Sequence, residues 1–183
     1  MDSNILIIRL KVKVVSVTDG DTVKVKVKKN SDPIKVRLHG IDAPEMDQDY
    51  GPESKEALEK MVLNKVVYLD IVGVDRFGRQ VGILHRKTQR NSFNKLLVEL
   101  GMAYNWPTYG RVYGGHNAEE RARSKRIGIW TRFGGEVRPW MHRHGSNETP
   151  IEYTKRKIEE TEQAKAEREA AIDAALKTLL RTK

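Results

Sequence analysis

The chain of 183 residues contains no cysteine, which excludes a disulfide framework, a thiolate zinc site and a cysteine nucleophile. It also lacks any apolar run close to the ~20 residues that a membrane-spanning helix needs, so we expect no membrane partner. The opening residues 1–8 have no basic segment, and their apolar stretch is too short for a signal peptide. We therefore expect the chain as written in the cytoplasm, or in the periplasm or outside the cell if an upstream signal has been removed.

Acidic residues are outnumbered by basic ones, with 25 Asp and Glu against 34 Lys and Arg and a formal net charge of +9. The surplus is uneven, because residues 148–183 contain eight basic and eight acidic residues. The positive charge therefore belongs to residues 1–147. A surplus of this size favours a polyanionic partner.

Alternating apolar and charged residues predict β-strands in the first half of the chain. Residues 5–17, 22–28 and 34–39 place Val, Ile or Leu on one face and mostly Lys or Arg on the other. Turn residues separate these three segments, so three consecutive antiparallel strands are expected. Residues 65–72 and 80–85 predict two more strands around a turn at residues 75–78.

Helical patterns cover three segments, at residues 52–63, 91–100 and 117–126. Pro52 suits a first helical turn, and Asn91 can cap the second helix. Five short strands with a helix between the third and the fourth predict an α+β fold. We expect a five-stranded Greek-key β-barrel of the OB type with three packed α-helices.

The composition changes after Trp140, where a capping box at residues 149–152 precedes a charged, alanine-rich stretch. This pattern predicts a C-terminal charged helix with one thin apolar stripe, surrounded by solvent. We therefore divide the chain into a barrel domain at residues 1–147 and an extension at residues 148–183. We expect a monomer.

Two aspartates are expected to meet at one end of the predicted sheet. Asp21 begins the second strand and Asp42 follows the third, which places both at the same end of an antiparallel hairpin. Two neighbouring carboxylates repel each other, and a cation relieves the repulsion. Hard oxygen ligands favour Ca²⁺ or Mg²⁺. Arg37 and Arg79 come from different strands and offer planar forks for phosphate oxygens, as phosphodiester hydrolysis requires.

An ordered series of short motifs resembles a known family. The series opens with Asp19-Gly20-Asp21-Thr22-Val23-Lys24 and continues at residues 36–38, 41–45, 50–53, 75–79 and 128–130. Each motif alone is weak evidence, but the ordered set is similar to the staphylococcal nuclease (thermonuclease) family. The resemblance implies a Ca²⁺-dependent endonuclease that hydrolyses DNA and RNA with little sequence preference and leaves 3′-phosphates. Single strands or breathing duplexes would be its preferred substrates.

The resemblance also implies a binding site for one Ca²⁺ ion. Asp21, Asp42 and the main-chain carbonyl of Ala43 would be the ligands, and Asp19 would lie behind them. Ala43 stands where the founding enzyme has threonine, a harmless change if only the carbonyl binds. Mg²⁺ is expected to bind but to support activity less well.

The catalytic roles implied by the resemblance fall on one glutamate and two arginines. Glu45 would hold or deprotonate the attacking water, while Arg37 and Arg79 would bind the scissile phosphate. Arg76 and Phe77 would contact the neighbouring nucleotide. Phe77 replaces the tyrosine of the founding enzyme, so stacking survives and a phosphate hydrogen bond is lost.

Other residues have two readings. Lys24 could be a plain strand gatekeeper against aggregation, but we expect it to do both jobs and also to contribute a positive field that binds nucleic acid. Tyr109 and Tyr113 are candidates for base stacking, although packing of their loop is an equal alternative. His142 and His144 have no third ligand nearby and are expected to be surface residues.

Two functions of other classes compete with the nuclease. One is a catalytically inactive domain of the same family that binds nucleic acid or protein, in which some acidic or arginine positions would be lost. The other is a plain OB-fold single-strand binder, which has no use for a repelling pair of aspartates. The presence of Asp21, Asp42, Glu45, Arg37 and Arg79 together favours the enzyme.

Overall fold

In this computed structural model, the structure describes residues 8–86, 88, 90, 92–106, 112–131 and 138–144, with six residues of the C-terminal segment (152, 155, 156, 159, 162 and 163). The chain separates into two compact units, residues 1–144 and 145–183. The six described residues of the second unit are helical. The domain bounds 1–147 and 148–183 stay predictions. Within the described residues, no helix combines the length and apolar character needed to cross a membrane.

The strands are β1 (Ile8–Asp19), β2 (Thr22–Lys26), β3 (Ile34–Leu38), β4 (Ile41–Asp42), β5 (Val66–Val74), β6 (Gln80–His85) and β7 (Tyr104–Asn105). Five of them form a closed barrel in the order β1-β2-β3-β6-β5, while β4 and β7 form a separate two-stranded ladder. The barrel pairs are antiparallel except β3 and β6, which are parallel. The α+β five-stranded barrel predicted from the sequence is confirmed.

Strand periodicity places the barrel core as predicted, with one exception. Val12, Val14, Val23 and Val25 are fully or almost fully buried. The strand predicted at residues 22–28 is too long, because β2 ends at Lys26. Val27, expected to point inward, is 39% exposed. A turn replaces the strand there, and the Ser31 N–H donates to the Lys28 carbonyl at 3.2 Å.

The helices are α1 (Gly51–Val62), α2 (Phe93–Glu99), α3 (Gly115–Ser124) and α4 (Pro139–His144), with a 3₁₀ turn at Gly128–Trp130. Proline lies in the first turn of α1 as expected. Ser92 caps α2 by accepting a hydrogen bond from the Lys95 N–H, so the cap predicted at Asn91 is wrong, and Asn91 lies outside the described residues. The sequence did not predict α4.

Two contacts hold the strand ends that will carry the site. The buried Asn94 side chain donates to the His39 carbonyl at 2.9 Å and accepts from the Leu84 N–H at 3.1 Å, which fastens the end of β3 to β6. Asp42 of β4 pairs with Tyr104 of β7. The backbone around the candidate residues is therefore fixed on both sides.

Candidate active site

Asp21 lies in the tight turn between β1 and β2 and is only 7% exposed. Its N–H donates to Asp19 Oδ1 at 3.0 Å, which closes the turn. Both of its carboxylate oxygens accept hydrogen bonds, Oδ1 from the Thr22 hydroxyl and Oδ2 from the Ala43 N–H, each at 3.0 Å. The side chain is thus oriented before any ligand arrives.

Asp42 and Asp21 converge on a single guanidinium. Arg37 Nη1 lies 2.9 Å from Asp21 Oδ2, and Arg37 Nη2 donates to Asp42 Oδ1 at 3.0 Å. Arg37 Nη1 also donates to the carbonyls of Leu38 and Ile41 at 3.1 and 3.0 Å. The two carboxylates from separate strand ends therefore meet, and a positive charge already joins them.

The electrostatics of this cluster favour an additional cation. Burial raises the pKa of Asp42 to about 6, the charge of Asp21 adds to the rise, and Arg37 and Arg143 oppose it. Burial, followed by the charge of Asp21, likewise raises the pKa of Asp19 to about 6. Neither carboxylate gains enough from its neighbours to offset the loss of water, so a divalent cation would stabilise their ionised forms.

A second guanidinium, which the sequence did not predict, reaches the same cluster from α4. Arg143 Nη2 donates to both oxygens of Asp42 at 3.0 and 3.1 Å, and Arg143 Nη1 donates to Glu45. The Glu45 N–H in turn donates to Gln48 Oε1 at 2.9 Å. Through Arg143, the structure brings Glu45 beside Asp42.

Arg79 is held by its own turn between β5 and β6. Asp75 accepts from the N–H groups of Phe77 and Arg79 at 2.9 Å and from Arg79 Nε at 2.6 Å. β6 begins one residue later at Gln80, and it runs parallel to the strand that carries Arg37. Arg79 thus directly precedes the neighbouring strand, but its side chain bonds to Asp75 of its own turn and not to Asp21 or Asp42.

The turn also exposes an aromatic ring beside two guanidiniums. Phe77 is 67% exposed, and the guanidinium carbons of Arg76 and Arg79 lie 4.8 and 5.5 Å from its ring centroid. An exposed ring flanked by positive charge offers both a stacking face and phosphate contacts.

Comparison with known proteins decides the family. The family described as Staphylococcal nuclease homologue matches residues 35–132. The chain belongs to the staphylococcal nuclease family. It is 37% identical over 147 residues to Protein ParB of Escherichia coli, covering 75% of this chain and 81% of that protein. It is 33% identical over 143 residues to the Micrococcal nuclease of Shigella flexneri, covering 73% and 80%. An uncharacterized endonuclease of Haemophilus influenzae is 38% identical over 118 residues, covering 64% and 65%.

The other candidate residues of this staphylococcal nuclease domain lie in different settings. Lys24 is exposed in β2 and pairs with Lys35 of β3. Tyr113 is 63% exposed, with the Arg90 guanidinium 5.8 Å from its ring centroid. Tyr109 lies outside the described residues. The base-stacking roles of the two tyrosines stay predictions.

The predicted metal donors are oxygen atoms, the ligand type that a hard cation prefers. Among the described residues, no group of three or more His, Cys, Asp or Glu side chains is arranged to hold a metal ion. Asp21 and Asp42 are nevertheless close enough to share the Arg37 guanidinium. Ca²⁺ takes six to eight oxygens, of which waters and main-chain carbonyls supply many. Two carboxylates and the Ala43 carbonyl would therefore form part of such a shell, with water completing it.

Arg143 was missed because nothing in the sequence links it to the acidic motifs. It follows Asp42 by 101 residues. The nearest segment with a distinct pattern is Arg138-Pro139-Trp140, which carries no acidic residue. Neither periodicity nor motif spacing could place that segment over the aspartates.

Proposed function

We propose that this chain is a Ca²⁺-dependent nuclease that hydrolyses phosphodiester bonds of DNA and RNA and leaves 3′-phosphate ends. The observation that carries the proposal is the convergence of Asp21 and Asp42 on Arg37 at one end of the barrel. Membership of the staphylococcal nuclease family and relatives named as nucleases or endonucleases support it.

The cation would be held by Asp21, Asp42 and the carbonyl of Ala43. When bound, it would supply the positive charge that phosphodiester hydrolysis needs next to the scissile phosphate. Asp19 would act indirectly, because it accepts the Asp21 N–H and so fixes the position of the ligand.

The remaining roles belong to groups around these ligands. Glu45, whose side chain is 36% exposed, would orient or deprotonate the attacking water. Arg37 and Arg79 would stabilise the charge that develops on the phosphate. Arg37 Nη1 donates to two carbonyls and Nη2 donates to Asp42, so phosphate would bind the remaining N–H groups of Arg37 or replace a present partner.

Substrate selection would follow from contacts to the backbone of the nucleic acid. The exposed Phe77 ring, the Arg76 guanidinium and Lys24 can stack on bases or bind phosphates without reading base edges. Low sequence preference is therefore expected. Stacking on Phe77 requires an unpaired base, which favours single strands or breathing duplexes.

The test is digestion of single- and double-stranded DNA and RNA with Ca²⁺, Mg²⁺ or excess chelator. We expect cleavage with Ca²⁺ and none with chelator. Asp21→Ala should lower kcat by ~10²–10³ or more, the size typical of losing one electrostatic contributor. Asp21→Asn keeps the shape and tests the charge alone.

Arg121→Ala is the matched control. Arg121 lies on α3, and its Nη2 is 3.0 Å from Glu99 Oε1, so the change removes one charge and one surface ion pair. A nucleic-acid-binding domain without catalysis would retain binding in all variants and take up no Ca²⁺ in a calorimetric titration. Full activity in chelator, or an unchanged Asp21→Ala variant, would defeat the proposal.

A further inference from the structure

The α4 segment, residues 138–144, is docked beside the site through contacts to three residues, two at β7 and one in the loop before α1. The rings of Trp140 and Trp106 lie 5.9 Å apart, and the Arg138 guanidinium lies 5.1 Å from the Tyr104 ring centroid. His142 Nε2 lies 3.1 Å from the Asp47 carboxylate, only two residues after Glu45. These contacts flank Arg143 and orient it toward the carboxylates.

The geometry of Arg143 on Asp42 resembles that of a bound cation. Its Nη2 is almost equidistant from the two Asp42 oxygens, at 3.0 and 3.1 Å, so it covers the side of the carboxylate that a cation binding both oxygens would need. Asp42 Oδ1 also accepts from Arg37. Because Asp42 is 1% exposed, water cannot supply the remaining contacts freely. A metal ion that binds Asp42 directly must therefore compete with Arg143.

The second contact of Arg143 does not conflict with a bound cation. Nη1 holds Glu45, and Nη2 holds Asp42. If a cation displaces Nη2 from Asp42, the rigid guanidinium must turn away as a whole, and Nη1 would keep its contact with the partly exposed Glu45 and hold that carboxylate near the ion. The two halves of one guanidinium thus serve different partners.

We propose that Arg143 is a positioning residue of this site that holds Glu45 in place and occupies Asp42 until a divalent cation displaces it. The inference rests on the proposed function, since it assigns a role within the same reaction. The formal charge agrees with it: the four carboxylates of Asp19, Asp21, Asp42 and Glu45 and the two guanidiniums of Arg37 and Arg143 leave two negative charges, which one divalent ion neutralises.

The proposal predicts opposite effects on cation affinity and turnover. In a calorimetric titration with CaCl₂ and no nucleic acid, Arg143→Ala should bind Ca²⁺ about tenfold more tightly, because a competing charge-assisted hydrogen bond is gone. In digestion of single-stranded DNA at saturating Ca²⁺, the same variant should lose ~10- to 100-fold in kcat with little change in KM, because Glu45 is no longer held. A residue that only supported the fold would not tighten cation binding.

Two further variants complete the design. Arg143→Lys keeps the charge but has no fork to bridge two carboxylates, so Ca²⁺ affinity should stay near wild type while kcat falls. Arg121→Ala also loses one positive charge and one ion pair but should change neither quantity. Thermal denaturation of each variant reports whether the fold is intact.

Each outcome decides the matter. Unchanged Ca²⁺ affinity and kcat in Arg143→Ala would overturn the inference while leaving the nuclease intact. Weaker Ca²⁺ binding in both Arg143 variants, together with a lower Tm, would assign Arg143 a structural role and overturn it as well. A wild-type protein that takes up no Ca²⁺ and cleaves nothing would remove the proposed function and this inference together.

Discussion

Asp42 is the carboxylate that binds both guanidiniums of the site. It is 1% exposed and bonded to both Arg37 and Arg143. Removing one partner of a buried ion pair leaves an uncompensated charge, whereas a bound cation could replace that partner. In the proposal above, the Arg143 guanidinium is this exchangeable counter-ion, while Arg37 keeps its contact with Asp42.

Residues joined by local motifs could be predicted from the sequence, and those joined by the fold could not. The Asp19–Asp21 turn and the Asp75–Arg79 turn are closed by hydrogen bonds between residues two to four positions apart. A short stretch of sequence is therefore enough to predict both turns. Arg143 reaches Asp42 across 101 positions, and only the packing of α4 brings it there.

Asp75 orients Arg79 through two hydrogen bonds, one from its N–H and one from its Nε, so the loss of Asp75 should mimic part of the loss of Arg79. We expect Arg79→Ala to lower kcat/KM by ~10²–10³. Asp75→Asn, which weakens the charged contact and keeps the turn, should lower it by about tenfold. Steady-state digestion of an oligonucleotide measures both. Equal activity of Asp75→Asn and wild type would show that Arg79 needs no such support.

At the scale of elements, strands with clear periodicity were predicted and very short ones were not. The β4–β7 ladder has only two residues on each side, Ile41 and Asp42 against Asn105 and Tyr104, which is too short for any alternation to register. The six-residue α4 is likewise too short to give a recognisable helical pattern in the sequence. The β4–β7 ladder and α4 both lie beside the site, so the surroundings of the site were the least predictable part of the fold.

Trp140 is the ring that docks α4, and its removal should release Arg143. We expect Trp140→Ala to reduce kcat to a similar extent as Arg143→Ala and to destabilise the protein by ~1–3 kcal/mol, below the range for a fully buried large side chain. In the double variant, the Arg143 substitution should add little, since its contact is already lost. Trp140→Phe is the conservative control. Additive losses in kcat would show that α4 docking and Arg143 act separately.

At the scale of the whole molecule, an acidic site lies within a basic protein of net charge +9. The positive surface attracts a polyanion, but the carboxylates repel the phosphate that must approach them. In the proposed function, a bound cation would offset this repulsion where the phosphate meets the carboxylates. The excess of basic residues could be counted from the sequence, whereas the burial that raises the pKa of Asp19 and Asp42 could only be known from the fold.

These two aspartates predict how stability depends on pH. Their pKa is about 6 in the folded protein against an ordinary value of 3.8, so the folded state binds protons more tightly than the unfolded state between these limits. Their contribution to the free energy of unfolding therefore falls as pH rises from about 4 to about 6. Thermal denaturation in chelator, where no cation is bound, should show this decrease in stability as pH rises. The decrease should be smaller in Asp42→Asn, which has no titrating carboxylate at that position.

Added Ca²⁺ should restore stability only where the carboxylates are ionised, because a cation binds their charged form. We expect a clear rise in Tm with CaCl₂ at about pH 8 and almost none at about pH 4.5. The same rise at both values would contradict binding through Asp42 and Asp21.

The closed ring of strands has a consequence for how this protein fails when it is heated. Each of the described barrel strands has a neighbour on both sides, so none presents an unpaired edge to another polypeptide. Intermolecular strand addition must then wait until the ring opens. Ile8, Arg9 and Leu10 of β1 pair with β5, and shortening the chain there would leave Leu69 to Ile71 as an unpaired strand edge and favour precipitation.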